Sequence, residues 1–206
     1  MNDKQTDMKS KTKSLILSFA TIVFLIQCGG GGKDSRATED ADATAAEEPE
    51  AAAPQFEVEN SFKVQLVHIL ESYLKVKDAF VASDPTKVKT EAVMTLKIIR
   101  TVETRMLTGA ALNDWATYNN QIEMALTEIT ASEDIEIQRV AFSSLSESLY
   151  NSIRAYGLGS ATAYYEFCPM AFNDKGAYWL SESKEIRNPY FGDKMITCGR
   201  VEEKLN

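Results

Sequence analysis

From Phe62 to Tyr156 apolar residues return every three or four positions, and a period of that kind sustained over so many residues means helix. Phe62, Leu66, Ile69, Leu70, Tyr73, Leu74 and Phe80 predict a first helix from about Asn60 to Ala82. Ser83-Asp84-Pro85 ends it and starts the next, with Asp84 as N-cap and Pro85 as first helical residue. Val88, Ala92, Leu96, Ile99, Val102 and Met106 mark one face of a second helix that stops at Thr108-Gly109. Asn113 or Asp114 is expected to cap a third helix whose inner face is Trp115, Tyr118, Ile122, Ala125, Leu126 and Ile129. Ser132 is expected to cap a fourth, with Ile137, Val140, Ala141, Leu145, Leu149, Ile153 and Tyr156 inward and Gly157 and Gly159 at its end. Glu133 and Asp134 sit where a helix start favours acids, which removes the need to read them as catalytic carboxylates. Four amphipathic helices with short connections predict a mainly α fold, an antiparallel four-helix bundle.

The period changes after Ser160. Ala161 to Phe167 has the composition of a strand, and Tyr178–Ser181 and Lys194–Thr197 are candidates for short strands. Gly176, Asn188-Pro189 and Gly192 supply turns between them. Residues 160–204 are too few for a core of their own. They are expected to form a small irregular or β C-terminal lobe, packed on the bundle through Trp179, Tyr190 and Phe191. With no internal repeat or second linker, residues 57–206 read as one domain.

The N-terminal part reads as an address and a spacer. Lys4, Lys9, Lys11 and Lys13 precede an apolar run from Leu15 to Ile26, the length of a signal-peptide core and short for a transmembrane helix. Leu25-Ile26-Gln27-Cys28-Gly29 resembles the lipobox of bacterial lipoproteins, with Gln27 where a small residue is usual. The resemblance implies a signal peptide over 1–27 and a Cys28 that carries a diacylglyceryl group and palmitate-type chains. Several acyl chains anchor a protein far more stably than one. Residues 28–56 are acidic, with no apolar residue larger than alanine before Phe56, and predict a disordered tether. The net charge of −8 excludes a nucleic-acid partner, which demands clustered Lys and Arg.

Anchoring uses Cys28 and leaves Cys168 and Cys198 for chemistry. Each has a thioether close by, in Cys168-Pro169-Met170 and in Met195-Ile196-Thr197-Cys198. Soft sulfur ligands select Cu(I) and its heavier analogue Ag(I) over hard cations. Cys168, Met170, Met195 and Cys198 are therefore candidate metal ligands. The other reading makes Cys168 and Cys198 a disulfide, as two cysteines in an oxidising compartment usually are, with the methionines as packing. His68 is the only histidine; it lies one position off the apolar stripe and reads as a surface or rim residue. Without a histidine near a cysteine or serine, and without a Gly-rich phosphate loop, an enzyme is not expected. Met94, Met106 and Met124 are spread over the helices and read as packing residues.

Several stretches add a family resemblance. Asp134-Ile135-Glu136-Ile137-Gln138-Arg139, Cys168-Pro169-Met170-Ala171, Gly176-Ala177-Tyr178-Trp179-Leu180-Ser181, Ile186-Arg187-Asn188-Pro189-Tyr190-Phe191-Gly192 and Met195–Gly199 resemble an uncharacterised bacterial envelope domain. That domain occurs in secreted or lipid-anchored proteins and beside the membrane-fusion subunits of copper/silver efflux systems. The resemblance spans roughly residues 62–204 and implies a cell-envelope location, a link to heavy-metal handling and an efflux membrane-fusion protein as partner. Cys168-Pro169-Met170 is also similar to the Tyr-x-Cys-Pro-Met-His start of small heavy-metal-binding modules, with Ala171 in place of the histidine.

Overall fold

A computed structural model describes residues 52–206. The expected signal peptide, Cys28 and the expected tether as far as residue 51 lie outside the described residues. The apolar stripes form α1 (Asn60–Val81), α2 (Pro85–Ile99), α3 (Gly109–Ala131) and α4 (Ile135–Tyr156). Gln65 reaches Glu103 just beyond α2, and Ser72 meets Thr95. Lys89 pairs with Glu133, and Arg100 with Glu123. Phe62 packs on Tyr156, and Tyr73 bonds Ser146. In each pair of helices the partner number falls as the residue number rises, so these neighbours are antiparallel. Phe62, Trp115 and Tyr156 meet edge to face at one end of the core, and Tyr73, Phe80 and Phe142 fill the other. Each fully buried ring of this kind stabilises the fold by about 1.5–3 kcal/mol.

Helix boundaries depart from the periodicity at three places. α2 ends at Ile99 rather than near Met106. The Gln65 side chain holds the chain beyond it, accepting from Glu103 N at 2.7 Å, and Leu107 plugs the core from a loop. α3 begins at Gly109, four residues before the expected caps. α4 is capped by Asp134, whose carboxylate accepts from Glu136 N at 2.8 Å, while Ser132 accepts from Asp134 N. The inner face of α4 is also rotated. Ile137 and Val140, expected inside, are 58 % and 59 % exposed, and Gln138 is buried. The cause is local. The C-terminal end of α3 meets the first residue of α2 there, and the last carbonyls of α3, left without intrahelical partners, need donors. Gln138 Nε2 supplies them, bonding Ser132 O at 2.9 Å and Pro85 O at 3.3 Å. An isoleucine has nothing to give at that point.

The last fifty residues form a three-stranded antiparallel sheet, β1 (Ala163–Cys168), β2 (Ala177–Ser181) and β3 (Arg200–Leu205), in the order β2-β1-β3. The expected strand at Lys194–Thr197 does not form. A short 3-10 turn at Gly192–Lys194 stands there, and the third strand follows it. Glu166 faces Trp179 across the β1–β2 pair and Cys168 faces Ala177. The twofold strand period puts Glu166, Cys168 and Trp179 on one face and Tyr165, Phe167 and Tyr178 on the other. Tyr150, Tyr165 and Tyr178 stack in sequence on that second face. Trp179 and Tyr190 are buried as expected, and Phe191 packs against the core at its edge.

Residues 52–56 run along the end of α4. Phe56 N donates to Ala155 O at 2.8 Å, and the Phe56 ring stacks on Tyr156 at 5.5 Å. Among the described residues no helix is long and apolar enough to cross a membrane.

Candidate functional site: a dithiol beside a methionine-lined cleft

β1 carries Cys168 to a fully buried position at its C-terminal end. Cys198 arrives from the other side, on the loop just before β3. The two sulfurs are 3.0 Å apart. The loop owes its course to Asn188, a fully buried side chain. Its Nδ2 donates to Cys198 O at 2.7 Å, and its Oδ1 accepts from Tyr190 N at 2.8 Å and Phe191 N at 3.3 Å. The Asn188 backbone N–H donates to Ile196 O at 2.8 Å. These four bonds close residues 188–198 into one unit and present Cys198 to Cys168. The missing strand at 194–197 has the same local cause: Ile196 O is taken by Asn188 N, and Lys194 N and Met195 N turn back to Phe191 O and Gly192 O. Arg139 ties the unit to the bundle, donating from Nε to Pro189 O at 3.0 Å and from Nη2 to Ser83 Oγ at 3.1 Å. Gly199 lets the loop close, since a Cβ there would stand 2.8 Å from the Trp179 ring.

The methionines lie next to the thiols. Met170 and Met195 line one cleft of about 460 Å³, with Arg139, Phe172, Asp174 and Phe191 among its other walls. Cys168 and Cys198 are not on its wall; Met170 follows Cys168 by two residues and Met195 precedes Cys198 by three, which links the two places. One side of the cleft is a strained turn. Phe172, Asn173 and Asp174 take φ values of 53°, 57° and 63° in succession. Asn and Asp tolerate the left-handed region, but a phenylalanine there is uncommon. The turn is closed by Gly176 N donating to Ala171 O at 3.0 Å. The Cys198 thiol is pushed up to about 11, first by the contact with Cys168, which holds its proton, and then by burial. A soft metal that takes both sulfurs must displace those protons.

His68 is exposed on α1 and does not line the cleft. Among the described residues no three His, Cys, Asp or Glu side chains gather as a metal cluster. Met94 and Met124 are 50 % and 56 % exposed, which corrects their reading as packing residues; Met106 does pack against the core. Sequence reasoning missed Asn188 and Arg139. The signal for Asn188 was its place before Pro189 between two aromatic stretches, where a buried amide can serve several backbone groups at once.

A second buried polar group lies on the same sheet face. Glu166 is fully buried and neither carboxylate oxygen has a hydrogen-bond partner. Burial raises its carboxyl to about 8. Lys77 pulls in the opposite direction, as do Trp179 and Ser181, but none makes a well-formed hydrogen bond to it. Lys77, itself 1 % exposed, is committed to Glu182 at 2.8 Å and Asp78 at 3.2 Å.

Fold and site together define a four-helix domain with a small antiparallel sheet that holds two cysteines in contact. A domain of the family described as Protein of unknown function (DUF3347) is found at residues 69–161. That stretch covers the bundle from Ile69 onward and ends before β1, so the dithiol lies beyond it. No curated protein and no solved structure matches the chain.

Proposed function

We propose that this is a non-enzymatic, lipid-anchored envelope protein that binds Cu(I) or Ag(I) and buffers it or passes it to an efflux membrane-fusion protein. Cys168 and Cys198 are the thiolate ligands, and Met170 and Met195 are auxiliary thioethers. The observation that carries the reading is that two distant segments bring two thiols into contact, with two methionines, their near neighbours in sequence, on the walls of one cleft. Thiolates and thioethers are soft, polarisable donors and suit monovalent copper and silver. Anaerobic titration of the reduced protein with Cu(I), against a chelator of known affinity, should show one ion per chain. Cys168→Ser should weaken binding at least about a hundredfold, and Met170→Leu or Met195→Leu less, with little change in stability because the swap conserves volume. Equal affinity in the Cys168→Ser protein would end this reading.

The anchor is a separate expectation, motivated by the apolar run that ends at Cys28. Mass spectrometry of the mature protein should find an acylated Cys28 at its N-terminus, and Cys28→Ser should release the protein from membranes. An unmodified N-terminus elsewhere would disprove it.

A second reading is favoured by the closeness of the sulfurs. Cys168 and Cys198 form a disulfide that staples the lobe of a structural or adaptor lipoprotein. Under that reading the oxidised protein is the working form and binds Cu(I) no better than the Cys168→Ser control.

A further inference from the structure

The exposed stripe on α4 is not needed for the core, which is complete on the Ala141, Phe142, Leu145, Leu149 side. Ile137 and Val140 nevertheless lie 58 % and 59 % exposed, and Met124 of α3 is 56 % exposed. They belong to two adjoining depressions between α3 and α4, of about 350 and 580 Å³, which share Glu128. Together they make a groove. Its floor is shallow and small-sided, with Ala125, Ala141, Ser144 and Ser148, so large side chains from outside can enter. From Gln121 to Ser132 it runs for about 16 Å, three turns of helix. No lysine or arginine lines it, while Glu128 and Glu147 do, and Glu123 stands in a neighbouring depression around Met124.

We propose that this groove is a docking site for a basic amphipathic helix of a partner protein, which lays an apolar stripe over Met124, Ile137 and Val140 and sets Lys or Arg against Glu128 and Glu147. Helix-in-groove recognition needs an apolar channel with anchors at helical spacing, and the acidic rim selects the sign of the partner. The same rim disfavours a second copy of this chain, since both would bring carboxylates to the contact and each chain carries −8 overall. The groove is lined by residues of α3, α4 and the turn between them, none of them at the dithiol, and does not depend on metal binding.

The probe is a fluorescent Leu/Lys peptide of about 15 residues patterned as an amphipathic helix, titrated into the full chain and followed by anisotropy. A Leu/Glu peptide of the same pattern and a scrambled Leu/Lys peptide are the controls. The Leu/Lys helix should bind, more weakly at high salt, and the controls should bind at least about tenfold less tightly. Val140→Asp should weaken binding by about tenfold or more, and Glu128→Lys combined with Glu147→Lys should abolish its salt dependence. All these side chains are exposed, so melting temperature and circular dichroism should stay as in the parent and show that the fold is kept. Equal binding of the scrambled peptide, or an unchanged affinity in both variants, overturns the proposal. So does sedimentation that finds a dimer of this chain dissociated by Val140→Asp, because the groove would then hold a second copy.

Discussion

Glu166→Gln should remove most of the loss of stability that the parent protein shows between pH 5 and pH 8. In the unfolded chain this carboxyl ionises near 4.5, and in the folded chain only at about 8. Between those values the folded state holds a proton that the unfolded state has released. Raising the pH across that window therefore drains stability, which is fully present below about pH 4.5 and lost by about pH 8. Three units of pH across it correspond to about 4 kcal/mol. For a domain of this size that is a fall in Tm of roughly 10 °C or more. The glutamine carries no charge in either state, so its melting curve should be nearly flat over the same range and should lie above the parent's at pH 8. Thermal unfolding of both proteins at pH 5, 6.5 and 8 decides it. Parallel curves would show that Glu166 is ionised in the fold and that Lys77 neutralises it after all.

Oxidising Cys168 and Cys198 should stabilise the domain by roughly 3–4 kcal/mol, the chain-entropy value for a link across thirty residues. The step joins the two sulfurs and releases two protons and two electrons to an added disulfide oxidant such as oxidised glutathione. The sulfurs already touch and Asn188 holds the Cys198 backbone, so little rearrangement opposes the bond. Denaturant unfolding with and without a dithiol reductant measures the difference. Cys168→Ser should show none. If the oxidised and reduced proteins unfold at the same denaturant concentration, the staple reading loses its physical basis. Prior loading with Cu(I) should slow the oxidation, because the metal occupies both thiolates.

The bundle was legible because burial in a helix leaves a period that local sequence records. Phe62, Leu66, Ile69 and Tyr73, or Leu145, Leu149, Ile153 and Tyr156, each mark a face with no knowledge of what it packs on, and all of these are buried. The pairing of Cys168 with Cys198 was legible only as a consequence of both candidate chemistries, each of which needs the sulfurs together. The period failed at Ile137 and Val140. Apolar spacing cannot tell a face that meets the core from one that meets solvent, and the arbiter was the Gln138 amide, which the end of α3 and the start of α2 both engage. β3 was missed for a related reason. Arg200-Val201-Glu202-Glu203-Lys204-Leu205 is mostly charged, and what makes it a strand is the free edge of β1 beside it.

The amino-acid sequence by itself determined the number of helices, their approximate spans, the change to strands after Ser160 and the sulfur residues on which the site is built. These are properties of contiguous stretches, set by side-chain period, capping chemistry and turn residues. Tertiary structure alone decided which way α4 is rotated, that Asn188 and Arg139 hold the loop, that Glu166 is buried without a partner, and that Met170 and Met195 share one cleft. Each of those depends on groups dozens of residues apart competing for the same hydrogen bonds and the same buried space, and no local pattern records the outcome of that competition.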